Sequence, residues 1–141
     1  MHKIIKYFLI IFISLTINVF AKENFFQEAK ILFDQGKIEE SKFLFQRNIV
    51  FNPKDSKSYL FLAKIFEKEE NEFEEEKNIN TTILLEPNNE EAMYMLIDIK
   101  LEKSDISKVQ ELKEKFKIIC NSLCSKIESI DERLSNINAK N

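Results

Sequence analysis

Two cysteines, Cys120 and Cys124, are the residues of this chain whose type and spacing could do chemistry. Their thiols could form a disulfide or take part in thiol–disulfide exchange. A continuous helix would hold Cβ atoms four residues apart at about 5–6 Å, whereas a disulfide wants them at about 3.8 Å. The bond therefore requires a break in the helix between the two cysteines.

The rest of the sequence offers little to catalysis or metal binding. Its single histidine is His2, and it has no tryptophan and one glycine. A chain without a histidine beyond its first residues cannot assemble a Ser–His–Asp, Cys–His or His-containing zinc site. Seven of the ten residues from Glu67 to Glu76 are glutamate, but the run lacks the turn glycine and ligand spacing of a calcium loop. We expect no enzyme activity, cofactor or metal, and read the run as a solvated turn, with docking of a basic partner as the alternative.

The first 21 residues differ in composition from the rest. Two lysines precede an apolar run over residues 7–15, and Val19 and Ala21 suit a signal peptidase that cuts before Lys22. A membrane-spanning helix needs about 20 apolar residues, so this run is short for an anchor. We expect residues 1–21 to be a signal peptide and the mature protein to be periplasmic or secreted by a bacterium. An uncleaved membrane anchor is the alternative.

The net charge of the chain indicates which classes of partner it can bind. The leader holds two of the 21 basic residues and none of the 24 acidic ones, so its removal leaves a net charge of −5. That balance disfavours nucleic acid and anionic membranes, which reward clustered lysine and arginine. We therefore expect no nucleic-acid partner, and a membrane partner only if the leader stays. An exported location is oxidising and favours pairing of the two cysteines.

The remaining chain repeats with a period of 34 residues. Pro53 and Pro87 lie 34 residues apart, and at the same offset Gly36-Lys37-Ile38 aligns with residues 70–72 and 104–106. Between these points, apolar residues recur at helical spacing in pairs of segments. Each repeat is therefore predicted to form two helices joined by a turn.

These features resemble the tetratricopeptide repeat (TPR) family. The matching residues are Phe25, Ala29, Leu32, Gly36, Ile38, Phe45 and Pro53, then Tyr59, Leu62, Ala63, Phe66 and Pro87, then Met93, Leu96, Ser104, Asp105 and Ile106. The resemblance implies an all-α fold, a right-handed α-solenoid in one domain, residues 22–138. It would contain three helix–turn–helix units, residues 22–55, 56–89 and 90–123, and a capping helix, residues 124–138.

The resemblance also implies a concave groove lined by the first helix of each unit. The implied groove residues are Phe26, Lys30, Phe33, Leu60, Phe61, Lys64, Tyr94, Met95 and Asp98. Aromatic rings, a methionine and a few charges suit an extended or helical peptide. Phe26, Phe61, Glu91 and Met95 replace the residues with which some TPR proteins clamp a terminal carboxylate, so we expect no such clamp. Packing against the chain's own N-terminal segment, or a self-dimer, is the alternative use of this face.

Two departures from the family pattern concern local register. Glu75 stands where a small residue is expected, and Phe73 lies one place after the expected aromatic position. A slip of one residue would explain both and puts the register of residues 72–80 in question. Asn121 stands where a unit-ending proline is expected, and Ser125 with Glu128 forms a capping-box pattern. Both predict a helix break that allows the Cys120–Cys124 disulfide, against one continuous helix with two free thiols.

The sequence is interpreted as an exported protein–protein interaction module, a scaffold or assembly factor that binds a peptide or helix in its groove. A membrane-anchored envelope adaptor and a periplasmic protein that carries a thiol or disulfide are the alternatives.

The mature protein should begin at Lys22, because residues 7–15 are too short an apolar run to span a bilayer well. N-terminal sequencing of protein purified from the cell envelope tests this. An intact Met1 in the membrane fraction would contradict it and favour the anchor.

Overall fold

The computed structural model describes residues 24–139, where all regular structure is α-helical. The predicted signal peptide and Lys22 lie outside the described residues. The helices are α1 (Asn24–Asp34), α2 (Ile38–Phe51), α3 (Ser56–Lys68), α4 (Glu72–Leu85), α5 (Glu90–Glu102), α6 (Ile106–Ile119) and α7 (Lys126–Asn138). The chain forms two compact parts divided after Pro53. The N-terminal module holds α1 and α2, and the C-terminal module holds α3 to α7.

The 34-residue period governs the turns. Gly36, Glu70 and Ser104 each follow a first helix with positive φ, at 76°, 56° and 54°. In each turn the next residue donates its backbone N–H across the helix end, as Lys37 does to the Leu32 oxygen at 2.9 Å. This Schellman arrangement needs a left-handed residue, which glycine adopts most easily. Glu70 and Ser104 therefore carry conformational strain that Gly36 does not.

The second helices keep the same register. α2, α4 and α6 begin at residues 38, 72 and 106 and end at residues 51, 85 and 119. Glu75 is buried at the position that Ser41 holds in α2, while Phe73 is 76% exposed. The register of residues 72–80, which the sequence left in question, is therefore that of the repeat, without a slip. The backbone keeps its period, and the glutamate side chain is buried instead.

Each module has its own apolar core. In the N-terminal module Ala29 and Phe45 are buried, and the Phe26 ring lies 5.7 Å from that of Phe45. The C-terminal core includes residues of every one of its helices: Leu60, Ala63, Ile79, Ala92, Met93, Met95, Leu96, Ile97, Ile99, Leu101, Val109, Leu112, Phe116, Ile130 and Leu134. Ile130 and Leu134 come from α7, so the last helix is part of this core.

Replacing Ser104 with glycine should raise the free energy of unfolding by about 1 kcal/mol, because glycine adopts positive φ without steric cost. The same substitution at Ser107, exposed within α6, should lower it by about 0.5–1 kcal/mol. Gly36→Ala should also lower the free energy of unfolding, because an L side chain is strained at a φ of 76° even where its Cβ would meet no atom within 4 Å. Urea denaturation followed by circular dichroism measures all three, and a Ser104→Gly midpoint below that of the wild type would contradict the argument.

Candidate functional site

In the N-terminal module the three predicted groove residues lie on α1. Phe26 and Phe33 are half-buried, and Phe26 packs on the Phe45 ring. Lys30 lies beside Asp34, with Nζ 2.6 Å from its carboxylate. Spacings of four and three residues place Phe26, Lys30 and Phe33 on one face of the helix.

In the C-terminal module α3 and α5 meet through a charged pair beside an aromatic ring. Lys64 Nζ lies 2.7 Å from Glu91 Oε1 and 5.0 Å from the centre of the Phe61 ring. Phe61 and Lys64 are both half-buried. Leu60 belongs to the core with only 7% exposure, so it offers little surface to a ligand. The clamp position at Glu91 is used inside the protein to hold a lysine.

Two predicted groove residues of α5, Tyr94 and Asp98, contact α7. Tyr94 packs on Phe116, with ring centres 6.1 Å apart, and Lys126 lies 5.4 Å from its ring centre. Asp98 forms an ion pair with Arg133. Burial and the neighbouring Asp98 raise the pKa of Tyr94. Met95 is 9% exposed and lies in the core. Tyr94 and Asp98 thus remain at the surface, but with α7 as their neighbour.

We define the α3–α5 surface as Phe61, Lys64, Glu91 and Tyr94. It combines two half-buried aromatic rings with a lysine–glutamate pair on adjoining helices.

An acidic cavity of about 480 Å³ lies in the same module. Its lining residues are Glu67, Glu70, Glu72, Glu75, Tyr94, Asp98, Ile99, Glu102 and Arg133. Two of its carboxylates have a cationic partner, since Glu72 pairs with Lys103 and Asp98 with Arg133. Tyr94 is the one residue of the α3–α5 surface that also lines this cavity.

Glu75 is the unusual residue of the acidic cavity. It is only 9% exposed. Burial raises its pKa to about 7, and the nearby carboxylates of Glu67, Glu102, Glu72 and Asp98 add to the shift. A carboxyl group removed from water and surrounded by like charge favours its neutral form. The cavity therefore contains an acid that titrates near neutral pH.

The connection between α6 and α7 is built around Glu90. α6 ends at Ile119, so the alternative of one continuous helix is not what the structure shows. The Glu90 carboxylate accepts backbone N–H groups from Asn121, Ser122 and Leu123, with N–O distances of 2.7–3.1 Å. These donors lower the pKa of Glu90 to about 2.

The two cysteines flank this loop. Cys120 and Cys124 are joined as a disulfide with Cα atoms 5.2 Å apart. The capping box predicted at Ser125 does not form, because its side chain makes no cap hydrogen bond. The bond in the purified protein stays a prediction, which alkylation tests below.

Neither the role of Glu90 nor an apolar cavity of about 450 Å³ formed by α4, α5 and α6 was predicted from the sequence. Among its lining residues are Ile83, Met93, Leu112 and Ile118. Ile118 is 84% exposed. An isolated apolar residue on the polar face of α6 was the available signal, but single exposed apolar residues are common on protein surfaces.

Within residues 24–139 no group of three or more histidine, cysteine, aspartate or glutamate side chains could hold a metal ion. No helix in that part of the chain is long and apolar enough to cross a membrane.

Comparison with known proteins defines the class of fold. No protein-family model matches the sequence, and no curated protein sequence matches it. The structure is similar to those of TPR-domain proteins, and the predicted all-α, TPR-like helical-repeat fold is confirmed.

Three solved structures carry that conclusion. The type III secretion chaperone SycD of Yersinia enterocolitica, in complex with a peptide of the translocator YopD, is 15% identical with a TM-score of 0.69, over 84% of this chain and 92% of that chain. The TPR2B domain of yeast Sti1, in a pHsp70 complex, is 16% identical with a TM-score of 0.68, over 85% and 98%. The TPR domain of Sgt2 from Aspergillus fumigatus is 10% identical with a TM-score of 0.70, over 84% and 82%. Likeness at such low identity shows the fold alone.

Alkylation of the denatured protein without a reductant should modify neither Cys120 nor Cys124, because both sulfurs are in a disulfide. Mass spectrometry of protein purified from the envelope measures this, and two added alkyl groups would contradict it.

The Cys120→Ser/Cys124→Ser variant should lose only about 1–2 kcal/mol of stability, because a short loop gains little from cross-linking.

Glu75→Gln should stabilise the protein in a pH-dependent way. The folded pKa is raised from 4.5 to about 7, so the folded state holds a proton that the unfolded state releases, and stability is lost as pH rises through that range. The variant should match the wild type near pH 4.5 and exceed it by about 1–2 kcal/mol at pH 8. Urea denaturation across this range measures the difference.

The matched control for that series is Glu128→Gln, which removes an exposed carboxylate from α7. Its difference from the wild type should stay small at both pH values, as for most surface substitutions. A Glu75→Gln difference that does not grow with pH would contradict the argument.

Proposed function

We propose that this protein is a protein-interaction module that binds a peptide or helical segment of a partner protein on the α3–α5 surface. The observation that carries the proposal is that the Lys64–Glu91 pair joins α3 and α5. Half-buried Phe61 precedes Lys64 by three residues, and half-buried Tyr94 follows Glu91 by three, so each ring shares a helix face with one member of the pair. Rigid aromatic rings give a ligand contact area at low entropic cost, and interface hot spots are enriched in them.

The structural comparisons support a peptide as the ligand. SycD was solved with a peptide of YopD, and PcrH was solved with the chaperone-binding region of PopD. Those ligands belong to those proteins. For this chain they support the use of a TPR-like helical face for binding a segment of another protein, while the ligand itself must follow from the chemistry of its own surface.

We further propose that the protein acts after export, as a scaffold or assembly factor in the bacterial periplasm. The support is the sequence of residues 1–21, with its basic start, short apolar run and small residues before Lys22. A membrane-anchored adaptor would have the same binding surface. We propose a binding role rather than an enzymatic one, because the chain after residue 21 contains no histidine.

Phe61→Ala should weaken peptide binding about tenfold or more, as expected for an aromatic hot spot. Peptides from a phage-displayed random library would be selected on the mature wild-type protein and their dissociation constants measured by fluorescence anisotropy. Circular dichroism and the urea midpoint would confirm that the variant is folded.

Leu84→Ala is the matched control, because Leu84 is 79% exposed on α4 and lies outside the α3–α5 surface. It should leave the dissociation constants unchanged. Peptides that bind both variants as tightly as the wild type would place the binding site elsewhere.

A further inference from the structure

The charge of the acidic cavity is not balanced within the described part of the chain. Six carboxylates line it, from Glu67, Glu70, Glu72, Glu75, Asp98 and Glu102, against a single lining cation, Arg133. The ion pairs to Lys103 and Arg133 account for Glu72 and Asp98. Four carboxylates remain around one space, and no described cation pairs with them.

Glu75 supplies a second, independent observation. Its side chain is nine-tenths buried, lines the cavity and accepts no hydrogen bond from a described residue. A buried carboxylate without a hydrogen-bond donor or cation is costly, and native proteins normally satisfy such groups. The equivalent positions in α2 and α6 hold Ser41 and Val109, neither of which brings a charge into the core.

The arrangement of the carboxylates suits a nitrogen cation better than a metal ion. No set of three ligating side chains within residues 24–139 is arranged to hold a metal. The carboxylates instead come from the end of α3, the α3–α4 turn, the first turn of α4 and α5, spread around a space of about 480 Å³. An ammonium or guanidinium group on a long side chain can enter such a space and donate several hydrogen bonds at once.

We propose that the acidic cavity receives a lysine or arginine side chain of the peptide bound on the α3–α5 surface. The inference rests on the proposed peptide-binding function and specifies the ligand: a segment with an apolar residue for Phe61 and a basic residue for the cavity. Tyr94 joins the two subsites, because it belongs to both.

Binding should then depend on pH. The groups that face Glu75 are Glu67 from α3, Glu72 from its own helix, and Asp98 and Glu102 from α5; Arg133 of α7 and Tyr94 also line the cavity. An incoming cation favours the ionised form of Glu75. Affinity should therefore rise as pH increases from 6 to 8, while a lysine or arginine of the peptide stays charged throughout.

The test is a double-substitution cycle with the tightest peptide from the phage selection. Its basic residue is replaced by norleucine for lysine or citrulline for arginine, and both peptides are titrated into the wild type, Glu75→Gln and the control Glu128→Gln. We expect loss of the peptide's charge to weaken binding about tenfold or more to the wild type and to Glu128→Gln, and less than threefold to Glu75→Gln. Glu102→Gln, an exposed change on α5, provides a second variant and should also reduce the loss.

The outcomes separate this inference from the proposed function. The inference would be overturned if removal of the peptide's charge weakened binding to Glu75→Gln as much as to the wild type, or if the selected peptides needed no basic residue. In either case, binding that still depends on Phe61 would leave the proposed function standing. Displacement of the peptide by millimolar Ca²⁺ but not by K⁺ would overturn it in favour of a metal site. Failure to select any peptide, or binding indifferent to Phe61→Ala, would overturn the function and the inference together.

Discussion

A helical hairpin buries only one of its faces, and the end of a helical stack must therefore be covered. In the C-terminal module, the hairpin whose outer face must be covered is formed by α5 and α6. α7 meets it by placing Ile130 and Leu134 in the same core as Val109 and Phe116. Since burial of apolar area is the main favourable term in folding, about 25 cal/mol per Å², the position of α7 decides whether this module has a closed core.

The attachment of α7 also shapes the candidate site. Glu90, the first residue of α5, holds the loop of residues 121–123 by three backbone hydrogen bonds, and Lys113 reaches Asp131 at 2.5 Å. These directional contacts fix where the helix begins and which face it turns inward. As a result Arg133 reaches Asp98, and an element that closes the core also forms one wall of the acidic cavity.

The acidic cavity lowers the stability of the C-terminal module, whereas the apolar core raises it. Glu75 occupies a position that the repeat gives to a small or apolar side chain, and it raises the electrostatic cost of a region already rich in carboxylates. The period of the backbone holds despite this cost, because the α4 positions Ile79 and Thr82 remain buried in register. Glu75 therefore breaks local consistency inside the core, and such a break is expected at a functional site.

The sequence by itself determined the all-helical repeat. Apolar spacing, the turn at Gly36 and the prolines 34 residues apart predicted the hairpins, because these signals act within a few residues of one another. It also predicted a helix break between Cys120 and Cys124, and α6 ends at Ile119. The tertiary structure alone decided the burial of Glu75, the pairing of Glu90 with backbone 31 residues away and the contact of Tyr94 with Lys126 of α7. Each joins residues from different helices, and neither periodicity nor local propensity carries information about how helices distant in sequence approach one another.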